Sequence, residues 1–95
     1  MRIELRISGG VAGVRRTHIV DTARLGEPDA SELEALAATV ELPSRAPAPR
    51  GPDRRQYDLV LESEQGRRAG TLREGAMDDA ARALVARVRE LGRPG

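Results

Sequence analysis

Arg2-Ile3-Glu4-Leu5-Arg6-Ile7-Ser8 is the stretch that decides the fold. Side chains alternate across a strand, so Ile3, Leu5 and Ile7 share one face while Arg2, Glu4 and Arg6 share the other. Such a strand is half buried. Its sheet keeps one face in water and needs a cover on the other, which is the habit of antiparallel sheets. Gly9 and Gly10 interrupt the alternation, Gly13 follows, and Arg15 to Thr22 resumes a strand pattern with Thr17, Ile19, Val20 and Thr22. The first unit therefore reads as a hairpin connected by Gly9-Gly10-Val11-Ala12-Gly13-Val14.

Further along, Asp29 follows Pro28 and can cap a helix with Glu32 three positions on, after which Leu33, Leu36, Ala37 and Val40 recur on one helical face. The spacing predicts a helix over Asp29 to Glu41. Gln56 to Ser63 is the second strong strand, with Tyr57, Leu59 and Leu61 on one side. Glu64-Gln65-Gly66 supplies a tight turn, and Arg67 to Arg73 returns as a fourth, glycine-weakened strand. Asp78 and Asp79 open a second helix in which Met77, Ala81, Leu84, Val88 and Leu91 share a face. Its initial acids, Arg87 and Arg89 near its end, and Gly92 with Pro94 beyond it agree with the helix dipole and with stop signals. The order is ββαββα. The predicted fold is α+β, a four-stranded antiparallel sheet with both helices on one face, so that Ile3, Leu5, Ile7, Leu59 and Leu61 meet Leu33, Leu36, Leu84 and Val88.

A chain of 95 residues, 39% hydrophobic and 33% charged with net charge +1, has the composition of one folded domain spanning 1–95. Pro43 to Pro52 carries four prolines and almost nothing apolar, so it reads as an exposed, flexible loop. All sixteen basic residues are Arg, which removes lysine Schiff bases and the P-loop lysine; Cys is absent, which removes thiolate nucleophiles and cysteine-ligated metals. His18 is the only histidine, too few for a multi-histidine metal site. No catalytic set, metal site or cofactor is expected. The N-terminus lacks a continuous apolar run, and no stretch approaches a membrane span, so a cytoplasmic protein without membrane contact is expected.

Each remaining motif has a plain alternative. The glycine run could suggest a phosphate cradle, but such cradles sit between a strand and a helix, and here a strand follows. Arg15-Arg16, Arg54-Arg55 and Arg67-Arg68 could form a basic stripe. Acids are interspersed, however, and Tyr57 is the only aromatic, so stacking platforms for single-stranded nucleic acid are missing. None of Ser8, Ser31, Ser44 and Ser63 lies in a nucleophile-elbow context that would recruit His18. Asp78 and Asp79 are explained as helix-start acids.

Arg2 to Arg16, then Val20-Asp21-Thr22, the Glu32-Leu33-Glu34-Ala35-Leu36 helix and Gly51-Pro52-Asp53-Arg54-Arg55-Gln56-Tyr57 together resemble the emfourin family of bacterial protein inhibitors of protealysin-like, thermolysin-type (M4) zinc metalloproteases. The Ser8-Gly-Gly-Val-Ala-Gly13 loop and Asp53-Arg-Arg-Gln-Tyr57 are the most specific parts. The family commonly carries an aromatic at the positions of Val11 and Arg55. The resemblance implies a non-enzymatic binder, monomeric when free, that blocks a protease cleft with Gly9, Gly10, Val11, Ala12, Gly13 and Val14, supported by Asp53 and Arg54. Because thermolysin-type enzymes take a bulky apolar side chain just past the scissile bond, it further implies Val11 or Val14 as the plug. Two other readings stay open: a nucleic-acid or phosphate-binding module using Arg2, Arg15, Arg16, Arg54 and Arg55, and a regulatory domain that binds some protein other than a protease.

Overall fold

The alternation at the N-terminus becomes strand β1, Arg2–Gly9, in a computed structural model that describes residues 1–9, 15–42 and 55–94. Ile3 and Leu5 are fully buried and Ile7 nearly so, while Arg2 and Arg6 are exposed. β1 pairs antiparallel on both sides. One partner is β2, Arg16–Asp21, in the register Ile3↔Val20 and Leu5↔His18; the other is β3, Arg55–Ser63, with Leu5↔Leu59 and Ile7↔Tyr57. β4, Gly66–Arg73, pairs with β3 and forms one edge of the sheet. The two hairpins are thus joined through their first strands.

The structure corrects the strand count. Arg93–Pro94 add a fifth strand, β5, against His18 and Ile19 of β2, giving the order β4-β3-β1-β2-β5. Two residues ending in a proline carry no periodicity, so the tail read only as a helix stop.

Both helices cover the buried face. The first, α1 (Asp29–Thr39), and the second, α2 (Asp79–Leu91), contribute Leu33, Ala37, Leu84, Val85 and Val88 to one cluster with Ile3, Leu5, Leu59 and Leu61. Leu36 and Leu91, expected at the same faces, pack at its margin. Thr22, just beyond β2, is the buried polar residue in this core; its hydroxyl accepts from the Met1 ammonium and donates to the Met1 carbonyl.

Two helix ends differ from expectation. The cap of α1 is Pro28, not Asp29, and the helix stops at Thr39 rather than Glu41. Asp29 and Glu32 do not form a capping box. Both carboxylates instead receive Arg87 of α2, at 2.7 and 3.1 Å, while the other arm of Arg87 reaches Glu90 at 3.1 Å. Desolvation pulls the Arg87 guanidinium pKa down, yet the hydrogen bonds and charges of Asp29 and Glu90 outweigh it and hold the pKa above its ordinary value. The group stays cationic at every physiological pH, so the bridge between the helices has no titration of its own from the arginine side. α2 follows expectation: the Asp78 side chain accepts the Ala81 N–H at 2.8 Å.

The C-terminus of α1 is held from the sheet. Arg68 of β4 points to the helical side and donates to the Ala37 and Val40 carbonyls at 2.8 and 2.6 Å, satisfying acceptors that the helix leaves open and placing a cation at the negative end of its dipole. Arg68→Ala is therefore expected to cost about 1–2 kcal/mol, or roughly 5–10 °C in Tm. Its neighbour Arg67, whose contact with Glu62 is 3.9 Å long and exposed, is expected to be nearly neutral on replacement by Ala. Equal melting temperatures for the two variants would refute the cap.

Gly92 ends α2 for a steric reason. A Cβ there would stand 2.5 Å from the Val88 carbonyl oxygen of the last turn of α2 and 3.0 Å from the His18 Cβ of β2, so a side chain would collide with the helix end and press on β2. Gly92→Ala is expected to destabilise by about 1–3 kcal/mol and to loosen β5, visible as a lower Tm and faster amide exchange at Ile19. A Tm equal to the parent's would show that the tail shifts aside at no cost.

Candidate functional site

The Gly9 end of the sheet is built by the two central strands. Gly9 of β1 pairs with Arg55 of β3, so the last described residue of one strand and the first of the other stand side by side. Gly9 has φ 92°, a conformation that L side chains rarely adopt, and it is exposed. The alternation of β1 thus ends in a backbone turn that only glycine makes without strain.

Around that end lie Arg15, Arg16 and Arg55, all exposed. Beside them Gln56 donates to the Asp58 carboxylate at 3.2 and 3.4 Å, and the Thr71 hydroxyl donates to it at 2.6 Å. Asp58 is therefore engaged within the sheet, and the three arginines form a cationic collar at the base of the hairpin connection. Tyr57, the only aromatic, is buried at 6% exposure between Ile7 and Leu72 in the strand register, so it offers no ring to a base.

Of the residues expected at the site, Gly9 is the last residue of β1, not the first of the connection. Gly10, Val11, Ala12, Gly13, Val14, Asp53 and Arg54 lie outside the described residues, as does the proline segment Pro43 to Pro52. The alternative phosphate-binding set is divided. Arg15, Arg16 and Arg55 stand at the Gly9 end, whereas Arg2 opens β1 at the opposite end, ~23 Å away at the rise of a strand. His18 sits on the helical side of β2 with its Nε2 buried and unpartnered, pressed beneath Gly92. Among the described residues no His, Asp and Glu cluster can hold a metal ion, and no helix is long and apolar enough to cross a membrane.

The sequence profile of the emfourin family matches residues 5–89. This chain belongs to the emfourin family. The emfourin match takes in both hairpins and both helices up to Arg89, including the connection after Gly9 and the segment before Arg55. Emfourins are an inhibitor family, which points to a protease-inhibitor-like protein and is consistent with a non-enzyme. No curated protein and no solved structure matches the chain. Arg2, Leu91, Arg93 and Pro94 fall outside the emfourin match.

Proposed function

We propose that this emfourin inhibits a thermolysin-type, protealysin-like (M4) zinc metalloprotease by seating the Gly9 to Val14 connection in its active-site cleft, with Asp53 and Arg54 beside it. The observation that carries this reading is the Gly9↔Arg55 pairing inside a chain of this family. Two stretches far apart in sequence depart from adjacent strands at one end of a rigid sheet, and they are the two most family-specific stretches. A loop whose ends are anchored on paired strands loses less conformational freedom on docking than a free peptide, which is how small inhibitors gain affinity without a large interface. Val11 or Val14 fills the apolar pocket beyond the scissile position, and the flanking glycines let the backbone approach closely.

The cationic collar of Arg15, Arg16 and Arg55 adds steering toward an acidic cleft mouth. Replacing Arg16 and Arg55 together by Glu is expected to slow association and flatten its salt dependence while changing dissociation little. Stopped-flow association at low and high salt measures this.

The direct test is titration of the purified protein against thermolysin-type proteases cleaving a peptide substrate. Stoichiometric loss of activity is expected with at least one such enzyme. Inhibition confined to serine or cysteine proteases would assign a different target class. The nucleic-acid reading is disfavoured by the buried Tyr57 and the divided arginines.

A further inference from the structure

At the end of the sheet away from Gly9 a groove of about 450 Å³ runs around the β2 edge, between β5 and the 3-10 turn at Thr22–Arg24. Arg2, Arg24 and Arg93 stand on its rim, and Ile19, Leu25, Leu91 and Pro94 form its apolar walls. All three arginines are exposed, and among the described residues none of them makes an ion pair. Two acids flank Arg2 in the sheet, Glu62 on β3 and Asp21 on β2. Glu62, beside Arg2 in the β1–β3 register, contacts Arg67; Asp21 has one carboxylate oxygen on the Ala23 N–H at 3.0 Å.

We propose that this groove docks an acidic segment of a protein partner, one that alternates carboxylate and aliphatic side chains. The argument is charge and surface complementarity. Three guanidiniums against the single carboxylate of Asp21 leave the groove net positive and call for carboxylates, with which arginine pairs in planar, two-pronged fashion. Four apolar walls call for aliphatic side chains, which a phosphodiester chain lacks. The second oxygen of Asp21, which lines the groove, is placed to accept an N–H, which a peptide backbone offers and a phosphate does not. No aromatic lines the groove to stack a base. Because Arg2 of the groove stands ~23 Å from Gly9, one copy of the domain can hold a protease at the Gly9 end and an acidic partner at the other.

The test is fluorescence anisotropy with a labelled peptide alternating glutamate and leucine, alongside its glutamine-leucine analogue and a single-stranded DNA dodecamer. The parent is expected to bind the acidic peptide, to bind the neutral analogue at least tenfold more weakly, and to keep the peptide in the presence of the DNA. Arg24→Glu with Arg93→Glu is expected to weaken the acidic peptide at least tenfold at unchanged Tm, and Arg24→Gln, on a surface turn, severalfold. Failure of the peptide to bind at millimolar concentration, equal binding by parent and charge-reversed protein, or displacement by DNA at equal concentration overturns the proposal. Protease inhibition by the charge-reversed variant is measured in parallel and is expected to stay intact; its value bears on the Gly9 end alone, so failure of either reading is told from failure of the other.

Discussion

Val11→Asp is expected to weaken inhibition of a thermolysin-type metalloprotease by at least roughly thirtyfold, about 2 kcal/mol, with the circular dichroism spectrum and Tm of the parent. The proposed pocket is apolar and dry, so a carboxylate placed there must be desolvated without a partner, a larger loss than deletion of the methyl groups. The core cluster of Ile3, Leu5, Leu33, Leu59, Leu84 and Val88 forms among the described residues, and the spectrum and Tm report whether the variant keeps it. Arg67→Ala, on an exposed pair at the far hairpin, serves as the companion that leaves inhibition unaltered. Arg68→Ala is not an equivalent control, although sequence alone makes the two arginines look alike. It removes the cap on α1, so its inhibition constant is to be compared well below its lowered Tm. If Val11→Asp inhibits like the parent while Arg67→Ala does not, the binding end of the domain has been assigned to the wrong end of the sheet.

The parts of the fold that were legible are those in which local pattern and tertiary demand coincide. Ile3, Leu5 and Ile7 alternate because the sheet has one covered face, and the same demand on Tyr57, Leu59 and Leu61 makes β1 and β3 readable. Asp78 was readable as a helix-start acid because its place beside the first turn is local, and the structure adds its cap bond to the Ala81 N–H. Asp29 and Glu32 have the same local signature, yet their partner is Arg87, more than fifty residues away, and a tertiary ion pair has no mark in local sequence. Arg68 illustrates the same limit. Its neighbours on a strand tell which face it occupies, but not that the end of a helix lies above it. β5 is too short for any period, and the groove beside it gathers Arg2, Arg24 and Arg93 from three separate elements. The Gly9 end was legible as a hairpin connection. Its alignment with the segment before Arg55 depends on the pairing of the two hairpins, which the alternation of either strand leaves open.

Leu84→Ala is expected to be the most damaging single truncation, costing about 3 kcal/mol. Leu84 is fully buried on α2, which packs against both α1 and the sheet, so its removal leaves a cavity inside the aliphatic cluster. A domain of this size has ~5–10 kcal/mol of net stability, and the aliphatic core has one aromatic with which to compensate. The loss is therefore a third or more of the total, or roughly 12–24 °C in Tm. Val60→Ala is the matched comparison. Val60 lies on the uncovered face of β3, opposite Glu4 and Ala69, and is only half buried, so its truncation is expected to cost under about 1 kcal/mol. Urea unfolding of both variants measures the difference. Comparable midpoints would mean that the uncovered face is packed against something in solution, and that the sheet has two buried sides rather than one.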